Sequence, residues 1–449
     1  MATQVQATTG DSIGPALQLA ARGPQDSYIS TDDPVPGSSW FRSAVTRCDD
    51  GYFKHFPFDK DVVRHIPGPS SFFGSTNSVN LLRCGDILGP IFLRVILPAL
   101  TTTTSSSTTS SSSFTWTPRV GRAMFKRIKL LIDDCAINDH ERLYLDILDK
   151  SAATSGERAA LDALLGVNLS VDTAHELMIP LRFFNCSADS RWHFPWCRAT
   201  RSEVSIEFAV EDLWKLIEWH DPSVSSQNSQ TALQARQAFA ISAIRTTSSV
   251  GMGMAVVVEA WATHFWLSKA ERTLVLANDD PLLIETVQDV DVTDCDMQTG
   301  MQKIQSSMIG DSLPGALKYL FVVSYRSRDH SEGIFFQYVP NPFLEFTVYH
   351  NGSEDIHITP IKASVQTGLE YGNSCDSTNG IFMITYAIRP FQPIPTGSAM
   401  MDDMYSYRIK IDWSDTITSN ADVFTAKAFG TAWQRLEFKN GSCCLMPSW

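Results

Sequence analysis

The stretch Gly380–Trp413, GIFMITYAIRPFQPIPTGSAMMDDMYSYRIKIDW, carries two different hydrophobic patterns, and few folds accommodate both. Ile381 to Ile388 is apolar on both alternating faces, as expected of a strand buried from two sides. Further on the alternation is strict. Tyr405, Tyr407, Ile409, Ile411 and Trp413 fall on one face and are expected in a core. Ser406, Arg408, Lys410 and Asp412 fall on the other, expected toward solvent or a neighbouring subunit. Between the two runs, Pro390, Pro393, Pro395 and Gly397 cannot continue a ladder, so the chain must turn there. Two strands joined by a proline-punctuated crossing predict a β-sandwich.

The rest of the chain repeats this grammar. Residues 1–40 read as an extended arm, with a short helix over Ile13–Ala21 stopped by Gly23-Pro24. Strands are expected at Tyr52–Phe58, Val79–Arg83, Ile91–Leu97, Met124–Ile132, Leu177–Phe184, Val204–Phe208 and Ala255–Leu267. They return at Tyr319–Tyr325, Phe343–Tyr349 and Asp422–Phe438. Thr101–Ser113 is thirteen residues of only Thr and Ser. It has no apolar face to offset its ordering entropy, so it reads as an exposed, outward-facing loop, expected to be unmodified and solvated, with hydroxyls that could carry O-linked sugar as the alternative. Thr154 with Glu157 has capping-box spacing ahead of Leu161, Leu164 and Leu165, and Thr231–Ala243 is Ala- and Gln-rich, so both predict helices. A second capping box, Ser268 with Glu271, and the pair Asp280-Pro281 predict two short helices over Lys269–Gln288. That interruption divides the strands into two sets, each fit for a sandwich or jelly roll.

At 449 residues the chain has room for two or three domains, and 43% hydrophobic with 19% charged residues is ordinary for a globular protein. A net charge of -13 argues against direct nucleic-acid binding, which needs a basic surface to release counterions. The densest basic run, Arg119–Lys129, is expected to line a solvated strand face. No run of 18 apolar residues predicts a membrane span, and no secretory signal is expected. Nine cysteines without repeated spacing predict reduced thiols packed as small hydrophobes, and adjacent Cys443-Cys444 are poorly placed to bridge each other.

Catalytic signatures are missing: there is no G-x-S-x-G elbow, phosphate loop or H-E-x-x-H. Gly251-Met252-Gly253 precedes a strand where a dinucleotide site needs a helix, so it reads as a turn. Cys186, His193 and Cys197 surround the aromatic loop Trp192–Trp196, but their spacing fits no zinc finger and no fourth ligand is evident. His350 and His357 read as surface residues. No catalytic residue, metal or cofactor is therefore expected. Four N-x-[ST] sites begin at Asn168, Asn185, Asn351 and Asn440; without a secretory signal most are expected to be silent, with Asn168, Asn351 and Asn440 kept as candidates for glycosylation.

Seven stretches, in order along the chain, resemble the major capsid proteins of nucleocytoplasmic large DNA viruses. Leu17–Tyr28, with Gln25, Asp26 and Tyr28, is similar to their N-terminal arm, and Trp40-Phe41 with the following Arg47–Phe58 to the lead into their first strand. Leu82–Ile87, with Arg83, Gly85 and Asp86, followed by Ile91–Leu100 with Pro98, resembles their R-x-G-D-L block ending in Leu-Pro. Gly121–Ile132 with His140 is similar to their next strand and its helical continuation, and Ile179–Phe184, with Pro180, Phe183 and Phe184, to L-P-L-x-F-F. Ala262–Gln288 resembles the linker between their jelly rolls, and Tyr386–Pro390 with Pro395–Ser398 (Pro390 and Gly397) their penultimate signature. Pro24, the Thr/Ser tract and the cysteine-rich C-terminus depart from the family's usual residues.

The resemblance implies an all-β double jelly roll, two consecutive eight-stranded jelly rolls with short helices in loops and in the linker. The expected division is an arm over 1–40, a first roll over 41–267, a helical linker over 268–290 and a second roll over 291–449. It also implies a non-enzymatic major capsid protein of a large icosahedral double-stranded DNA virus, homotrimeric and forming pseudo-hexagonal capsomers. The implied partners are itself, neighbouring capsomers, minor capsid and penton proteins, and indirectly an internal membrane. Its implied place is the virion capsid, after assembly in the host cytoplasm. Two alternatives stand beside this reading: a minor or vertex capsid jelly roll, and a carbohydrate-binding β-sandwich motivated by aromatics expected to be exposed at Trp192 and Trp196.

Overall fold

The computed structural model describes residues 56–62, 72–100, 113–187, 192–220, 230–249, 256–267, 269–277, 280–296, 304–308, 313, 315–339, 343–365, 380–392, 395–401, 404–413 and 423–446. The N-terminal arm with Gln25, Asp26 and Tyr28, the tract before Ser113, and Gly251-Met252-Gly253 lie outside these residues.

The first unit is built from β1 (Phe56–Val62), β2 (Thr76–Asn80), β3 (Ile87–Leu97), β4 (Ser113–Trp116), β5 (Phe125–Ile132), β6 (Cys135–Glu141), β7 (His175–Pro180), β8 (Val204–Val210), β9 (Ile217–His220) and β10 (Val257–Trp266). One sheet has the order β1-β10-β3-β7 and the other β2-β8-β5-β6, while β4 and β9 pair as a separate ribbon. The second unit is built from β11 (Leu282–Asp296), β12 (Ile304–Met308), β13 (Ala316–Arg326), β14 (Phe343–His350), β15 (Ser353–Ile358), β16 (Ile381–Thr385), β17 (Ala399–Met400), β18 (Tyr407–Trp413), β19 (Val423–Lys439) and β20 (Ser442–Leu445). Its sheets run β11-β19-β13-β16, with β17 on β13 and β20 on β19, and β12-β18-β14-β15. Each sheet interleaves early and late strands of its unit with antiparallel pairing. The two units share one winding, and that winding is the Greek-key connectivity of a jelly roll.

Helices fill the connections. They are α1 (Val120–Ala123), α2 (Arg142–Ala152), α3 (Ser155–Leu165), α4 (Gln230–Ser249), α5 (Lys269–Ala277), α6 (Ser327–Ser331) and α7 (Pro360–Val365). The Thr154–Glu157 capping box forms as its spacing predicts, with the Thr154 hydroxyl accepting from the Glu157 N–H and the Glu157 carboxylate accepting from the Thr154 N–H. Among the described residues no helix is long and apolar enough to cross a membrane.

The contrast in the 380–413 stretch has a structural cause. On β18, Tyr407, Ile409, Ile411 and Trp413 are buried in the second roll's core, and β16 crosses to the opposite sheet. Along β16, Phe382 and Ile384 join that core, whereas Ile381 and Met383 join the core of the first roll. β13 divides in the same way: Leu320 and Val322 pack inward, and Tyr319, Phe321 and Val323 pack against the first roll. The sheet β11-β19-β13-β16 is thus a shared wall, apolar on both faces because both are covered. The turn into it is tight. Gly380 sits at φ 74°, and a Cβ there would lie 2.3 Å from the Val339 carbonyl oxygen. Gly380→Ala is expected to cost about 2–4 kcal/mol, combining a strained backbone with a clash; an unfolding midpoint within error of wild type would refute the clash.

Several expectations are corrected. Tyr405 is 98% exposed, because β18 begins two residues later and the alternation does not extend to it. The helix expected after Asp280-Pro281 is instead the start of β11, where the cross-strand partner β19 outweighs a local capping signal. Its companion after Ser268 forms as α5. The strand expected through Phe184 ends at Pro180 and is followed by a single 3-10 turn over Phe184–Cys186. The basic run 119–129 does not simply line a solvated face. Arg122 is 1% exposed, since α1 turns it toward the Asp149 carboxylate on α2.

Candidate functional site at the junction of the two rolls

Among the described residues no group of three or more His, Cys, Asp or Glu is placed to hold a metal ion. The concentration of buried polar chemistry lies where the rolls meet, and α2 is its organiser. Leu143 and Ile147 of α2 enter the apolar core. Asp146 and Asp149, three residues apart and so on one helix face, are completely buried.

Two buried carboxylates demand cations, and α1 with the end of β7 supplies them. Arg122 Nε donates to Asp149 at 2.9 Å, Arg119 Nη2 at 3.3 Å and Arg182 Nη2 at 3.1 Å. Arg119 also donates to Asp146, which Lys150 approaches at 2.7 Å. Burial opposes the charge on Asp149, but the guanidinium groups of Arg122, Arg182 and Arg119 outweigh it and hold the carboxyl below its ordinary range. Arg122 Nη1 donates to the Pro180 carbonyl at 3.0 Å, tying the Leu-Pro-Leu strand to the same cluster. A second cluster centres on Glu211, joined by Arg142 at 2.8 Å, Lys126 at 3.2 Å and Lys215 at 3.3 Å. Burial again opposes ionisation and the cations reverse it, leaving Glu211 at about 2.

Polar bonds then cross from roll to roll. The Tyr338 hydroxyl donates to Asp146 at 2.8 Å, and Asn138 donates to the Glu285 carbonyl at 2.8 Å. Tyr144 pairs with the Thr431 hydroxyl at 3.2 Å, and Lys427 donates to Glu141 at 2.5 Å. Arg127 donates to Asp289. The Arg142 guanidinium lies 3.6 Å from the ring centroid of Phe335, a desolvated cation–π contact. A junction combining shared apolar cover with several charge-assisted bonds fixes one orientation of the rolls, because each bond constrains geometry as well as energy.

The residues singled out in the sequence are spread over the fold. Phe183 and Phe184 are buried at the junction, Pro180 touches its charge cluster, and Pro390 lines a cavity there. Gly85 and Asp86 lead into β3, beside the end of β10. A Cβ on Gly85 would sit 2.9 Å from the Phe265 carbonyl oxygen, and Asp86 accepts from the Leu267 N–H at 3.1 Å and meets Arg272 of α5 at 3.4 Å. Arg83 donates to the Thr200 carbonyl, and Pro98 follows β3. Gly397 adopts φ 145°, with the Tyr386 carbonyl oxygen 2.5 Å from where a Cβ would be. Asn168 is exposed with φ 56°. Asn351-Gly352 and Asn440-Gly441 have positive φ at both residues, the type I′ turns of the hairpins β14–β15 and β19–β20. Their Asn-Gly signal was present in the sequence but was overshadowed by the sequon. Asn185 is fully buried and donates to the Gly89 carbonyl, which closes it to a glycan in the folded chain.

Trp192 and Trp196 are not exposed. Trp196 is 1% exposed in the first core, and Trp192 stacks on Trp433, so the observation that motivated a carbohydrate-binding reading is gone. Cys197 and Cys443 are buried, Cys135 and Cys444 exposed, and the described cysteines are free. The resemblance implied a helical continuation after His140, which α2 supplies; what sequence reasoning missed is its acids, since nothing local marks Asp146 and Asp149 as buried.

The fold and this junction define the class: a double jelly roll, mostly β with few helices. It is similar to VP54 of PBCV-1, with a TM-score of 0.65 at 15% identity over 90% of this chain and 99% of that one. It is also similar to the Faustovirus major capsid protein, with a TM-score of 0.64 at 9% identity over 86% and 91%. In sequence, residues 51–250 match the family model for the major capsid protein N-terminus. Capsid protein 1 of Acanthamoeba polyphaga mimivirus is 24% identical over 187 residues, covering 38% of this chain and 30% of that protein. The major capsid protein of Invertebrate iridescent virus 3 is 22% identical over 232 residues, covering 49% and 47%. The chain thus spans about a third to a half of the length of the curated relatives it matches. Sequence and fold together bear out the resemblance to the major capsid proteins of nucleocytoplasmic large DNA viruses, which are structural proteins and not enzymes.

Proposed function

We propose that the chain is the major capsid protein of a large icosahedral double-stranded DNA virus and works as a homotrimer. The observation that carries this reading is the pair of rolls with one winding, locked side by side by a shared wall. Three such chains around an axis present six similar walls, which makes a pseudo-hexagonal capsomer from a three-fold assembly. Apolar burial would hold the trimer, and more polar, repeated contacts would join capsomers to one another, to minor capsid and penton proteins, and indirectly to an internal membrane. The place of action is the virion capsid, reached after assembly in the host cytoplasm. We take residues 1–40 as an arm, the first roll as 41–267 and the second as following a linker that begins at 268. The net charge of -13 supports contact with protein and not with nucleic acid. Light scattering of the purified chain should give a particle of three times its 49.8 kDa mass, six-sided by electron microscopy. A strictly monomeric species at assembly concentrations would count decisively against the proposal.

A further inference from the structure

Between α2 and the shared wall lies a cavity of about 190 Å³ whose walls come from both rolls. Its lining is aromatic: Tyr144, Phe183 and Phe184 come from the first roll, with Trp192 in a loop of the same unit, and Phe391 and Trp433 from the second. Trp192 and Trp433 stack with ring centroids 5.6 Å apart and planes inclined by 30°. They are 9% and 3% exposed, and neither indole Nε1–H has an acceptor among the described residues. A buried donor left unmatched is costly, and here the two indoles that carry such donors line one space. The lining carboxylate of Glu285 is engaged by Lys318 Nζ at 2.5 Å, while the Arg182 guanidinium adds a further donor.

We propose that this cavity is a binding site for a small planar aromatic molecule bearing a hydrogen-bond acceptor, such as a ring carboxylate or carbonyl. The ring packs among the aromatic walls, and the acceptor takes the Trp192 and Trp433 N–H groups. A cavity of ~150 Å³ holds a benzene ring, so this one suits a single substituted ring and excludes a nucleotide or an acyl chain. A ligand that touches both rolls binds only the folded junction and therefore stabilises it. The site stands on the cavity alone and does not depend on the capsid reading.

The test is thermal unfolding and calorimetric titration of the full chain with benzoate, toluene and acetate as probes. Benzoate should bind at one site per chain and at 10 mM raise the unfolding temperature by about 2–4 °C. Toluene should do less, and acetate nothing. Trp192→Phe keeps a ring but removes an N–H and should weaken benzoate binding about tenfold. Ala152→Phe, which fills the cavity from the end of α2 and leaves both indoles in the chain, should abolish it in a protein that unfolds cooperatively. Benzoate acting no more strongly than acetate would mean that the donors are met by water alone, and would overturn the proposal. Equal effects of benzoate and toluene, or unchanged binding in Ala152→Phe, would overturn it as well.

Discussion

Asp149→Ala is expected to remove about 3–5 kcal/mol of folding stability, read as a drop in the urea midpoint at unchanged slope. The reason is not the loss of one favourable pair. Asp149 is completely buried and accepts from Arg122, Arg119 and Arg182, and Arg122 is itself sealed from water. Removing the carboxylate strands a guanidinium that solvent cannot reach, and an uncompensated buried charge is the expensive outcome. A second, opposite outcome is expected of the pair. Replacing the sealed pair by apolar side chains, Asp149→Leu with Arg122→Met, should recover much of the loss, because the one guanidinium without water is then gone, while Arg119 keeps Asp146 and Asp162 and Arg182 keeps solvent. A single substitution costing under ~1 kcal/mol, or a double variant worse than the single one, would show that water reaches the cluster.

Acid should weaken the protein well before ordinary carboxylates titrate. His140 is 2% exposed, and burial followed by the nearby Arg122 charge holds it at about 3. Burial and Arg142 likewise hold His330 at about 3. Both imidazoles are neutral in the fold and accept a proton in the unfolded chain below its usual value near 6.5, so their contribution is complete above that pH and declines as pH falls toward 3. Glu211, held at about 2, adds a contribution that is full above its ordinary range and lost between that range and 2. The signs agree. Between pH 7 and 4.5 the two histidines together should account for a loss of about 2–5 kcal/mol, and His140→Phe should flatten the slope of stability against pH. A stability that is level from pH 7 to 4.5 would rule out neutral, sealed imidazoles.

The sequence conveyed the architecture better than the junction, for a physical reason. Strand periodicity is local, so Val204–Val210 and Tyr407–Trp413 could be read directly, as could the Thr154 cap. The double-sided apolar pattern read over Ile381–Ile388 announced that something must cover the second face, though not what, and it holds only through Ile384, with Ile388 75% exposed beyond the strand. Failures came where a distant partner decides the outcome. Leu282–Gln288 follows a good helix start but is claimed by β19, and Tyr405 continues an alternation that its sheet does not. Arg122 and Asp149 are 27 residues apart, and neither looks buried until the other is brought beside it. Charge pairs of this kind leave no periodic trace.

The shared wall has one more consequence. A protein made of two similar lobes would ordinarily flex at its waist, since the segment joining them is short and the lobes could rock. Here the wall belongs to both lobes, with Ile381 and Met383 packed on one side of it and Phe382 and Ile384 on the other. Rocking would have to pull apart two cores at once. The block is therefore stiff in its own plane, and if such blocks tile a shell as proposed, any change of curvature must be taken up at the seams between them.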